Sequence, residues 1–332
     1  MQVSAGIKAT LNAVGFYHRR LQDDPFPGVA VLAYHGVRAD GTSASSMQGG
    51  DLHVTAARFA DHCRVLTDLC TPISGARFRA ISTGAAMAPP RAVLVTFDDG
   101  YASVLTRALP VLERYGLPAV VFACPAPIER RERFWFDAVA ERHGAAAVEG
   151  LKTMSYSRWL EAAEAAAMPV TPGDPHAPLT VSELQHLAAH PLIEIGAHTM
   201  THPLLARAPL DVQLREMSES RSTLQAWLGH APAMFAYPNG RPEVDYTIET
   251  VGGAAALFDD AFGVGQTFTD PASMRHNQRR LLMFDSITGA ALAHCLAVSW
   301  PRLARTSGSS STETPSSTMP PSETLLPGPP PA

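Results

Sequence analysis

No stretch of the sequence reaches the roughly 18 consecutive apolar residues that a membrane helix needs. Nor does the N-terminus offer an export signal: Lys8 and Asn12 interrupt it before an apolar h-region can form. Cysteine is scarce. The four present, Cys63, Cys70, Cys124 and Cys295, show no CxxC spacing, and Cys124 sits in the apolar run AVVFAC as a buried thiol would. Together these absences point to a reducing, cytoplasmic compartment. Basic excess is missing as well. The net charge is -5 and the pI is about 6.2, so there is no global footprint for nucleic acid. No internal repeat of fixed period is present.

Apolar residues, by contrast, make up 46% of the 332 residues, enough for a full-sized core. Length alone fits two domains or one barrel. Proline is over-represented at 28, and seven of these fall in residues 306–332. There 21 of 27 residues are Pro, Ser, Thr or Gly, so the segment lacks the apolar surface to offset ordering and reads as a disordered tail. The other reading, a secreted Ser/Thr/Pro stalk, has no export signal behind it. Residues 1–27 read as an amphipathic helix, with Val3, Ile7, Leu11 and Val14 on one face and Lys8, Arg19 and Arg20 elsewhere. That face either docks on the domain or lies on a membrane surface.

Between these ends, short apolar runs alternate with helical stretches. Strands are expected at 28–34, 91–97, 119–124, 192–196 and 234–237. Helices are expected at 58–69, 103–115, 180–189 (with a Thr180/Glu183 capping box), 210–228, 247–252 and 285–298, the last with Ser286 as N-cap. This rhythm argues an α/β fold, a parallel sheet or barrel with outer helices. Residues 129–176, which contain FWFDAVAERHG and EAAEAAAM, interrupt it as a helical insertion.

Three motifs follow expected strands. The first is Thr96-Phe97-Asp98-Asp99-Gly100. Three Asp–Asp pairs occur in the chain, so adjacency alone says little. Asp98–Asp99 differs in its position at a strand's C-terminal end, where ligand and catalytic groups collect in α/β proteins. In extended chain, neighbouring side chains point opposite ways, so one carboxylate can bind a cation while the other takes a proton. The alternative is a helix N-cap.

The second motif is His198-Thr199-Met200-Thr201-His202. Two histidines four apart can present both rings to one metal. His186 and His190 share that spacing but have no strand end beside them. Asp99 with His198 and His202 would make three protein ligands and leave positions open for water, the catalytic pattern of a metal site. Satisfied loop histidines are the alternative. The third motif, Phe235-Ala236-Tyr237-Pro238-Asn239-Gly240, is by itself only a strand running into a turn.

These residues resemble the polysaccharide deacetylase family, also called the NodB-homology domain or carbohydrate esterase family four. Thr96–Gly100 matches its TFDDG motif, His198–His202 its H[ST]xxH motif and Phe235–Gly240 the FAYPxG form of its third motif, while Tyr34-His35-Gly36-Val37 resembles the first strand of one branch. The resemblance covers roughly residues 29–298. It implies a distorted (β/α)7-type barrel. It also implies Asp98 as general base, Asp99, His198 and His202 as ligands to a divalent metal, usually Zn2+, and a substrate-binding turn of Tyr237, Pro238, Asn239 and Gly240.

The sequence departs from the family in two places. The family's third motif carries an Arg two residues before its Pro, where this chain has Ala236, and Arg280 is the replacement that would orient the base. The LxxH motif that supplies the general acid is out of register at His294, which leaves His294 and His35 as alternatives. The activity implied is removal of an N-acetyl group from an N-acetylated sugar or glycan precursor, with release of acetate. The lack of an export signal favours a cytoplasmic or membrane-peripheral precursor. Two rivals remain: another amide hydrolase or deformylase on the same scaffold, and a non-catalytic glycan-binding relative.

Overall fold

The computed structural model describes residues 3–43, 50–265 and 267–301, so the expected tail at 306–332 lies outside the described residues. Seven parallel strands form the barrel: β1 (Val29–Tyr34), β2 (Ala92–Phe97), β3 (Ala119–Ala123), β4 (Ile193–Ala197), β5 (Met234–Ala236), β6 (Asp260–Phe262) and β7 (Leu281–Leu282). Their spatial order is β7-β1-β2-β3-β4-β5-β6. The residues leading into β7 close the ring. Gln278 bridges Phe262, and Gly263 and Gly265 donate to the carbonyls of Gln278 and Arg280 at 2.8 and 2.9 Å. On the other flank Leu281 pairs with Leu32 of β1.

β1, β2 and β3 are buried along their whole length, which is why they read as near-continuous runs of Val, Leu, Ala and aromatic residues. Alternate residues face two cores. Val29, Val31, Leu94, Val120, Phe122, Met234, Ala236 and Phe262 fill the interior, whereas Leu32, Tyr34, Val93, Val95, Phe97 and Val121 pack under the outer helices. Gly196 leaves room for the interior Phe122 ring, which a Cβ there would meet at 2.4 Å. The short helix Gly75–Ser82 shuts the N-terminal mouth of the barrel. It adds Phe78 and Ile81 to the interior cluster, and Arg79 pairs with Glu194.

Registers such as Tyr34 opposite Phe97 and Ala123 opposite Ala197 align the strands' C-terminal ends at the other mouth. The insertion supplies helices Trp135–His143, Ala145–Leu151 and Tyr156–Ala165, with a small core of its own around Trp135, Val139, Leu151 and Trp159.

Several expectations need correction. Among the described residues before β1 there are two helices, Ala5–Ala13 and Phe16–Asp23, separated by the left-handed Gly15, in place of the one expected over 1–27. The second buries Tyr17 and Leu21, whereas Ile7 and Val14 of the expected apolar face are more than half exposed. The helix expected at 247–252 runs on as Ile248–Leu257. The last expected helix begins later, as Gly289–His294 with Thr288 as its N-cap, because Ser286 bonds to Asp51 instead. The helix after β2 opens with a wide π turn, Val104–Ala108. Pro110 accounts for it, having no N–H to bond the carbonyl four residues back. Among the described residues no helix is long and apolar enough to cross a membrane.

Candidate metal centre and active site

At the C-terminal mouth, β2 delivers Asp98 and Asp99, and β4 delivers His198 and the loop to His202. Asp99, His198 and His202 offer one ligand atom each, all within 4.8 Å of one another and all buried. Asp99 Oδ1 lies 3.5 Å from His198 Nε2 and 3.4 Å from His202 Nε2. Both distances are too long and the oxygen is left with no hydrogen-bond partner. They match the edge of a ligand tetrahedron, since bonds of about 2.1 Å to a central zinc separate its ligands by about 3.4 Å. The three side chains therefore fit a divalent cation.

Their protonation states suit that role. His198 Nδ1 donates to the Ala236 carbonyl at 2.7 Å, which leaves Nε2 bare toward Asp99. Burial pushes His202 down to about 4, so its ring is neutral, the form that ligates. Burial alone would raise Asp99, but the imidazoles of His198, His202 and His35 outweigh it and hold the carboxyl well below the usual carboxylate range.

The loops reach this geometry through strained backbone. Asp99, Thr199, His202 and Asn239 all have φ between 58 and 73°. Such values are uncommon outside glycine and costly for a β-branched Thr, so the surroundings must enforce them. Glu216 on the helix Leu210–Leu228 does much of this. Its carboxylate accepts from the N–H groups of Met200 and Thr201 at 2.8 and 2.9 Å and from the Thr201 hydroxyl at 2.7 Å. Thr199 Oγ1 accepts from the His202 N–H at 3.1 Å. Beneath the loop, the Cys124 thiol donates to the His198 carbonyl at 2.9 Å.

Asp98 faces the other way. Arg280 grips both its oxygens, at 2.6 and 2.8 Å, and is itself fully buried. The guanidinium also reaches Thr96 Oγ1 and the Gly263 carbonyl and lies over the Phe122 ring. Burial raises the Asp98 carboxyl, but the charge of Arg280, helped by His198 and His35, more than offsets this and keeps it ionised.

The remaining expected residues divide. His35, half-buried just past β1, is close enough for its charge to act on both aspartates, and its Nδ1 has no hydrogen-bond partner. His294 lies outside the barrel, bonded through Nδ1 to Tyr17 of the N-terminal helices at 3.0 Å. Tyr237 is buried, stacked on Tyr246 and donating to the His276 carbonyl, so its side chain braces the turn. Pro238 and Gly240 shape that turn through a 2.6 Å bond from Gly240 N–H to the Pro238 carbonyl. Asn239 has an Nδ2 without a partner.

Glu216 was not anticipated from the sequence. The available signal is its place on the inner face of its helix, in step with Gln213, Met217, Ser220 and Leu224. A carboxylate on a buried stripe needs a partner.

The family model described as polysaccharide deacetylase matches residues 85–254, which include Asp98, Asp99, His198 and His202. The poly-β-1,6-N-acetyl-D-glucosamine N-deacetylase of Escherichia coli K12 is 27% identical over 148 residues, 44% of this chain and 20% of that protein. This chain thus matches about a fifth of that relative's length. The fold is also that of the Streptococcus pyogenes deacetylase PplD in complex with acetate (TM-score 0.59, 18% identity, 82% of this chain and 99% of the other). IcaB from Ammonifex degensii is similar to the same degree (TM-score 0.58, 18% identity, 82% and 97% covered).

Proposed function

This chain belongs to the polysaccharide deacetylase family, and from that membership we propose that it is a divalent-metal-dependent N-deacetylase of N-acetylhexosamine residues in a glycan or glycan precursor. The observation that carries the reading is an ionised Asp98, clamped by Arg280, beside the Asp99, His198 and His202 triplet. Binding alone would not call for a buried base next to a ligand set. The sugar is inferred from the Escherichia coli relative, whose name specifies a polymer of N-acetylglucosamine.

A cation held by the triplet, zinc by the donor set, would polarise the acetamide carbonyl and acidify water beside it. Asp98 takes the proton of the attacking water. Each of its oxygens keeps a lone pair free beyond the bond to Arg280, so the clamp orients the carboxylate without blocking it. A low carboxyl pKa makes Asp98 a weak base, which is sufficient for water already made acidic. His35, close enough to both aspartates for its charge to act on them, donates a proton to the departing sugar amine. Acetate and a free amine result. Pro238, Asn239 and Gly240 form the turn on the substrate side of the centre, just past the Ala236 carbonyl that holds His198.

The test is acetate release from N-acetylglucosamine oligomers by purified protein, before and after chelation and again after added Zn2+. Activity lost on chelation and restored by zinc is expected. Turnover that survives chelation, or no acetate from any N-acetylated sugar, would contradict the reading.

A further inference from the structure

The two histidines of the centre are held differently. His198 has its outer nitrogen bonded to the Ala236 carbonyl, the usual device that fixes a ligating imidazole. The outer nitrogen of His202 is buried with no partner. Beyond Asp99, His198 and Thr199 of the centre itself, His202 is contacted by the first residues of the insertion. Trp135 Nε1–H donates to the His202 carbonyl at 2.9 Å, and the Phe136 ring packs edge-on against the His202 ring at 5.0 Å.

The neighbours of these residues reach the other ligand-bearing loop. Phe134 packs on Tyr101, two residues beyond Asp99, at 4.7 Å. Asp137 accepts from the Tyr101 hydroxyl at 2.6 Å and pairs with His176 at 3.0 Å. The chain leaving the insertion is bonded there too, through Ala102 N–H to the Ala177 carbonyl and Leu179 N–H to the Gly100 carbonyl, both at 2.9 Å. Four consecutive residues therefore span both loops that bear the ligands.

The geometry points to residues 134–137 as an external brace for the metal centre, with Trp135 and Phe136 as positioning residues for His202. Packing and one hydrogen bond to the main chain take the place of the missing bond to His202 Nδ1. Because His202 has φ 60°, its backbone relaxes toward a commoner conformation unless it is held. Trp135 holds the carbonyl and Phe136 the ring plane. The insertion thereby acts on metal affinity from outside the barrel. This inference rests on the metal-centre reading above.

Trp135→Phe removes the N–H donor and keeps an aromatic ring. Trp159→Phe is the control: it lies 5.7 Å from Trp135 in the same small core, with ring contacts to Trp135 and Tyr156 and none to His202. Zn2+ affinity is measured by competition with a chromophoric chelator, and the visible absorption of the Co2+ form reports ligand geometry. The expected outcome is zinc binding weaker by about tenfold or more in Trp135→Phe and Phe136→Leu, with altered Co2+ bands. Trp159→Phe should keep wild-type affinity and bands. Wild-type affinity in both brace variants, or equal weakening in Trp159→Phe, would overturn the brace. If Asp99→Asn binds zinc as tightly as wild type, the metal-centre reading itself fails, and the brace with it.

Discussion

Arg280 and Asp98 stand 182 positions apart in the sequence and meet through two charge-assisted hydrogen bonds of 2.6 and 2.8 Å at the barrel mouth. The pair is buried and bidentate, so it fixes both the charge and the plane of the carboxylate. Asp98 is thereby committed to the anionic form, ready to accept a proton.

Removing the guanidinium should move the pH dependence. Without Arg280 the largest remaining influence on Asp98 is burial, which raises its pKa. Protonated Asp98 cannot accept a proton, so the acid limb of kcat in Arg280→Met should shift upward. Arg280→Lys keeps a charge without the fork and should shift less. Breaking the buried pair should also cost about 3–5 kcal/mol in stability. A pH–rate profile with a melting curve measures both.

The two histidines left open by the sequence should behave differently. His35→Gln should lower kcat by about 10²-fold or more, the scale of a lost general acid. His294→Gln should leave kcat near wild type, because its ring is bonded to Tyr17 away from the centre. Steady-state kinetics on one N-acetylated substrate compares them.

Metal should stabilise the fold by mass action. At a thousandfold excess over Kd, zinc adds about 4 kcal/mol. Melting of chelated and zinc-loaded protein should show that gap in wild type, and His202→Ala should abolish most of it.

A separate pH effect belongs to His62 under the outer helices. It is buried between the Tyr34 hydroxyl and the Ile287 carbonyl, and burial pushes it down to about 4 from its usual 6.5. Between those values the unfolded chain binds a proton that the folded chain refuses. Stability is therefore full above about pH 6.5 and falls as the pH drops toward about 4, by about 3 kcal/mol in all. Denaturant titrations of wild type and His62→Gln across that window should show a flatter dependence in the variant.

The parts of the fold legible in the sequence were those with length and composition behind them. The runs that became β1, β2 and β3 are buried on both faces and so are continuously apolar. β6 and β7 have three and two residues, Asp-Ala-Phe and Leu-Leu, too short for any period to show. Their pairing is decided by neighbours distant in sequence. Asp99, His198 and His202 could be brought together on strand-end logic, but the strained backbone at Thr199 and His202 has no sequence signature. Arg280 came into view through family resemblance alone, since one Arg beside another looks like surface. Trp135 and Phe136 read only as part of the helical insertion, and the folded chain alone sets them against His202.

The division of labour between the adjacent aspartates is tested most directly by comparing Asp98→Asn with wild type, both saturated with Zn2+, for acetate release from N-acetylglucosamine oligomers and for zinc affinity. The account predicts that Asp98→Asn loses about 10²-fold or more in rate while binding zinc as wild type does. An unchanged rate, or a rate lost only because zinc is lost, would contradict it.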